Sequence, residues 1–100
     1  MKIMNYCGIV IHTHLGEIDI VQPSDPKEGF SLEELQGIVG GYIDIVPLWP
    51  GWVMVVNDEG LLKDLPLNVV ASMLRLPQRY LCGLGAIVGD VLVCPSKLVK

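Results

Sequence analysis

The feature that most restricts this chain is a single bracketed helix. Phe30-Ser31-Leu32-Glu33-Glu34-Leu35 reads as a capping box: the Ser31 hydroxyl accepts from the Glu34 amide, and the Glu34 carboxylate reaches back to the Ser31 amide. Phe30 before the cap and Leu35 inside the helix form a hydrophobic staple, while Glu33 and Glu34 lie near the positive end of the helix dipole. Leu32, Leu35 and Val39 fall on one apolar stripe, with Ile38 beside it. Gly40-Gly41 closes the helix, because glycine adopts the left-handed cap conformation without a Cβ clash. A helix of about two to three turns is not stable alone in water. It must pack on a sheet, and the flanking sequence reads as strands.

Lys2–Thr13 is rich in Ile, Val and Tyr, and Glu17–Gln22 alternates, with Ile18 and Ile20 on one face and Glu17 and Asp19 on the other. With Gly16 between them, the two runs predict an N-terminal hairpin whose second strand is half-buried. Pro23–Gly29 is a loop. Beyond the helix, Tyr42–Val46 reads as a strand, Pro47-Leu48-Trp49-Pro50-Gly51 as a connection, and Trp52–Val56 as another strand. Asn57-Asp58-Glu59-Gly60 forms a turn after which Leu61 and Leu62 return antiparallel. Asn68 caps a second helix over Val69–Leu76, stopped by Pro77. A last strand, Ala86–Cys94, is kinked near Gly89 and closed by Pro95. The expectation is a single α+β domain over residues 1–100, a mostly antiparallel sheet of five or six strands packed with two short helices.

Composition narrows the function. The 100 residues are 51% hydrophobic with a net charge of −4, and the mean hydropathy is +0.50. That is more apolar side chain than a small core needs, so a homo-oligomer is expected. The acid excess argues against general nucleic-acid binding, which requires a basic surface. No run is long enough for a membrane-spanning helix, and Lys2 followed by an apolar stretch broken by Asn5, His12 and His14 does not read as a signal peptide. Cys7, Cys82 and Cys94 are odd in number and widely spaced. They fit small buried hydrophobes in a cytoplasmic protein better than a disulfide framework or a zinc site.

Four blocks then occur in order: Leu32–Gln36 through Val39–Leu48; Val55–Gly60; Leu65-Pro66-Leu67-Asn68; and Ile87-Val88-Gly89-Asp90-Val91-Leu92-Val93. In this combination the chain resembles a domain-of-unknown-function family numbered 3846, common in phages, plasmids and other mobile elements. The resemblance implies a cytosolic mobile-element protein and brings no established catalytic motif. The helical stretch around Val69–Leu84 departs from the family, whose members often shorten it.

His12-x-His14 on a strand would point both imidazoles to one face, with Glu17 or Asp19 as a third ligand. Exposed hairpin histidines without a metal are the better reading, and no metal or cofactor is expected. Gly40-Gly41 closes a helix instead of opening one, so it is not a phosphate loop. The acidic residues form no recognisable acid/base pair. Binding is better supported: Tyr42, Trp49 and Trp52 offer stacking surfaces, Asn57 and Asn68 paired donors and acceptors, and Arg75 and Arg79, with Lys63, phosphate contacts. The plainer alternative makes the tryptophans core or interface residues and the asparagines turn and cap residues. The resulting expectation is a non-enzymatic binding protein, a sponge sequestering a small nucleotide immune signal in counter-defence. The alternative is an interaction protein that binds and inhibits a host protein. A metal-dependent hydrolase built on His12 and His14 ranks below both.

Overall fold

A computed structural model describes residues 7–59, 63–75 and 87–99. Its elements are β1 (Gly8–Ile11), β2 (Ile18–Val21), α1 (Leu32–Val39), β3 (Ile43–Trp49), β4 (Trp52–Asn57), α2 (Val69–Arg75), β5 (Val91–Pro95) and a closing 3-10 turn, Ser96–Leu98. The five strands form one antiparallel sheet in the order β2-β1-β5-β4-β3, so the expected α+β architecture holds. Two sequence-local hairpins, β1–β2 and β3–β4, flank β5, the last strand of the chain.

Alternation along the central strands builds two cores. Val10, Val55, Leu92 and Cys94 point to one face and pack with Phe30, Leu35 and Val39 from the α1 side. Ile11, Met54, Val56, Val91 and Val93 point to the other, where Ala71 and Ile87 join them. All five residues of β5 are buried, as a central strand covered on both faces requires.

The α1 cap is built as its sequence indicates. Ser31 Oγ accepts from the Glu34 amide at 3.1 Å, and Glu34 Oε1 accepts from the Ser31 amide at 2.8 Å. Glu34 Oε2 also accepts from the Ser24 amide at 3.1 Å, tying the preceding loop to the helix. The Ser31 amide first, then that of Ser24, hold the Glu34 carboxyl below its usual range. Gly40 ends the helix at φ 83°, and its amide donates to Gln36 O. Leu32 departs from the expected stripe: it is exposed, whereas Leu35 and Val39 are buried.

Other expectations are corrected. β2 is not half-buried: it lies at the sheet edge among the described residues, and Ile18, Asp19 and Ile20 are all exposed. Pro47-Leu48-Trp49 is not a connection but the end of β3, where Leu48 is buried against the second core. Proline is tolerated there because β3 is the opposite edge among the described residues and a register shift follows it. Only Pro50-Gly51 turns the chain. The last strand begins at Val91, because Gly89 at φ 78° bends the backbone and Val88 bridges to Leu67 instead. Leu61 and Leu62 lie outside the described residues, and β4 has β3 and β5 as its neighbours. No helix among the described residues is long and apolar enough to cross a membrane.

Candidate functional site

The chemistry-bearing side chains concentrate at the end of the sheet where β1 finishes and β5 begins. Continuing the Ile11–Val91 and Ile11–Ile18 registers by a residue places His12 between Asp90 and the β2 edge. His12 Nδ1 lies 2.8 Å from Asp90 Oδ2, and Nε2 lies 2.7 Å from Asp19 Oδ2. The Thr13 amide donates to the other Asp90 oxygen at 3.0 Å. Hydrogen bonding to Asp19, then to Asp90, raises the His12 pKa above its ordinary value against a smaller opposing effect of burial. When protonated, the ring donates from both nitrogens and links Asp19 of β2 to Asp90, just before β5. Among the described residues, no group of three or more His, Cys, Asp or Glu is arranged to hold a metal ion. His14 does not share a strand face with His12, because it lies in the turn beyond β1 and is exposed.

The two asparagines are internal braces. Asn68 is fully buried. Its Nδ2 donates to Ile11 O and Gly89 O, both at 2.9 Å, and its Oδ1 accepts from the Ala71 amide at 3.0 Å as the cap of α2. Asn57, 6% exposed, donates from Nδ2 to Val39 O at 3.0 Å and accepts the Glu59 amide on Oδ1 at 2.8 Å. It fastens the last turn of α1 to the end of β4. Both side chains thus take the turn-and-cap role that the sequence also allowed.

Two of the three candidate aromatics are brought together, and Tyr42 stands apart. Tyr42 precedes β3 and is exposed, whereas Trp49 closes that strand, roughly 20 Å away at about 3.3 Å per residue. Trp49 pairs with Trp52 across the Pro50-Gly51 turn, with ring centroids 6.3 Å apart and planes tilted by 37°. Tyr42 instead shares a cleft of about 350 Å³ with Gln36, Gly41 and Lys63. Arg75 ends α2 with its side chain outside the described residues, and Arg79 is outside them altogether. Cys7 and Cys94 are free and buried, and burial pushes the Cys94 thiol up to about 12. Cys82 lies outside the described residues.

An exposed apolar surface, not marked by any local sequence pattern of strand or cap, lies on the α2 side of the sheet. Ile18 and Ile20 pair with Ile11 and Ile9, which belong to the α2-side core, so they project on that side of the sheet. Leu15 at the hairpin tip and Val70 in the first turn of α2 line a groove of about 330 Å³. A Cβ on Gly16 would come within 2.9 Å of Val70 Cγ2, which shows how closely the tip approaches α2. Val69 and Met73, one helical turn apart, are 58% and 62% exposed. The available signal was Val69-Val70-Ala71: apolar residues at successive helical positions cannot all face one core.

Neither a curated protein nor a solved structure matches the chain. A family model described as "Domain of unknown function (DUF3846)" matches residues 7–97, nearly the whole fold, and the chain belongs to that family.

Proposed function

We propose that this domain is a non-enzymatic interaction protein that docks an apolar surface of a partner protein on the α2 side of its sheet. The observation that carries the reading is the exposed group Leu15, Ile18, Ile20, Val69, Val70 and Met73, drawn from the hairpin tip, β2 and α2 on one side of the sheet. Scattered apolar residues are normal on a protein surface, whereas a clustered patch is the signature of an interaction site. Burial and the high pKa of the Cys94 thiol disfavour thiolate chemistry at that residue.

The test is affinity capture run in parallel with wild type, a Val69→Glu/Met73→Glu variant and a Tyr42→Ala control. A stoichiometric partner retained by wild type and control but lost with the double variant is expected. Capture unaffected by the double variant would overturn the reading. Because both substituted residues are exposed, the fold should survive, and an unchanged circular dichroism spectrum checks this.

A small anionic nucleotide is the second reading, consistent with a counter-defence sponge. The observation favouring it is the cleft that sets exposed Tyr42 beside Lys63. The negative end of the α1 dipole, at Gly40 beside this cleft, opposes an anion there, so the apolar surface ranks first. Native mass spectrometry of the freshly purified protein separates the two, since a retained nucleotide adds a small mass that Lys63→Ala should remove.

A further inference from the structure

We infer that β2 pairs with β2 of a second copy, antiparallel about a two-fold axis at Ile20, to make one ten-stranded sheet. The backbone parity supports this. The His12 amide donates to Glu17 O at 2.8 Å, and the register continues Val10 to Asp19 and Gly8 to Val21. In an antiparallel ladder, bonding and non-bonding pairs alternate. Glu17, Asp19 and Val21 therefore bond toward β1, and Ile18 and Ile20 turn their N–H and C=O groups outward. Ile18, Ile20 and Asp19 are exposed, and β2 itself carries neither a lysine nor a proline, two of the residues that commonly block such an edge.

Charge and strand length select the register: centring the axis on Val21 would set Asp19 against Pro23 and Ile18 against Ser24, beyond the end of β2. Side chains directly opposite one another lie on the same face, so a two-fold normal to the sheet pairs only residues of equal parity. Centring it on Asp19 would set two carboxylates face to face, and centring it on Ile18 would oppose Glu17 to Asp19; both are unfavourable. Centring it on Ile20 sets Ile20 against Ile20, Asp19 against Val21 and Ile18 against Gln22 of the second copy. The outward groups of Ile20 and Ile18 then find partners. The isoleucines of both copies meet on the α2 side, where the two docking surfaces join into one. The inference extends the partner-binding reading but does not depend on it, because dimerisation is read without any partner.

Sedimentation equilibrium of the full chain tests it, with Ile20→Pro, Ile20→Lys and Ile20→Asp as variants. Wild type should sediment with twice the chain mass. Ile20→Pro removes an outward N–H that has no role in the β1 ladder, so it should sediment as a folded monomer. Ile20→Lys and Ile20→Asp should each be monomeric alone and form a mixed dimer when combined, because position 20 faces itself. A spectrum matching wild type checks that each variant folds. Wild type monomeric at all loading concentrations, or Ile20→Pro still dimeric, would overturn the inference. In a Cys82→Ser background, Ile20→Cys should cross-link on oxidation, since paired Cα atoms about 5.5 Å apart suit a disulfide. Asp19→Cys should not, and the opposite pattern would refute the register.

Discussion

Asn68 and His12 carry the residue-scale account. Asn68 satisfies three backbone groups from three segments inside the protein. Asn68→Ala leaves several buried polar groups unpaired, each costing about 1–3 kcal/mol, so a total loss of roughly 3–5 kcal/mol is expected. Urea unfolding measures it, and a change of a few tenths would deny the bracing role. For His12 the sign follows from the direction of its shift. Its pKa is raised in the folded state, so its tether contributes fully below the unfolded value of about 6.5 and is lost as pH rises through the folded value. The stability gap between wild type and His12→Gln should therefore be larger at about pH 6 than at about pH 9. A gap that widens with rising pH would contradict the double ion pair. Neither role was fully legible in the sequence. The cap at Asn68 was, because Asn before a helix is a local signal, but its bonds to Ile11 and Gly89 cross 57 and 21 residues. Asp90 stands 78 residues from His12, and no local pattern joins them.

Among the elements, α1 was the most legible because its cap, staple and stop are all local. Ser31→Ala should cost about 0.5–2 kcal/mol, read from the unfolding midpoint at neutral pH. The Glu34 half of the box should fail as pH falls: its carboxyl is held low in the fold, so its contribution is present above the unfolded pKa and lost through the folded one. The difference between wild type and Glu34→Gln should accordingly shrink in acid. The strands were legible as strands, but not in extent or burial. The alternation in β2 reads the same whether its isoleucines meet a core or solvent, and only the strand order decides between them. Pro47 reads as a break, yet an edge strand can hold it because one side of that backbone has no ladder to complete. In α2 the β-branched valines weaken intrinsic helix propensity, and the buried Ala71 and the Asn68 cap anchor it.

At the scale of the molecule, sheet order governs where function resides. Placing β5 in the centre puts the hairpins at the flanks and leaves β2 at one edge among the described residues. α1 packs against one face, while β2, the hairpin tip and α2 leave apolar side chains uncovered on the other. The length of β3 separates Tyr42 from Trp49, while the turn after that strand brings Trp49 beside Trp52. Part of the apolar surplus read from composition is thus located: Leu15, Ile18, Ile20, Val69, Val70 and Met73 are exposed on the α2 side, where we propose that a partner protein docks and two copies meet. Hydrogen–deuterium exchange of the protein, free and bound to its captured partner, tests that location most directly. Slower exchange at the hairpin tip and the first turn of α2, with Tyr42, Lys63 and the Trp49–Trp52 turn unchanged, is the predicted result. Protection confined to Tyr42 and Lys63 or to the tryptophan turn, with α2 unaffected, would contradict it.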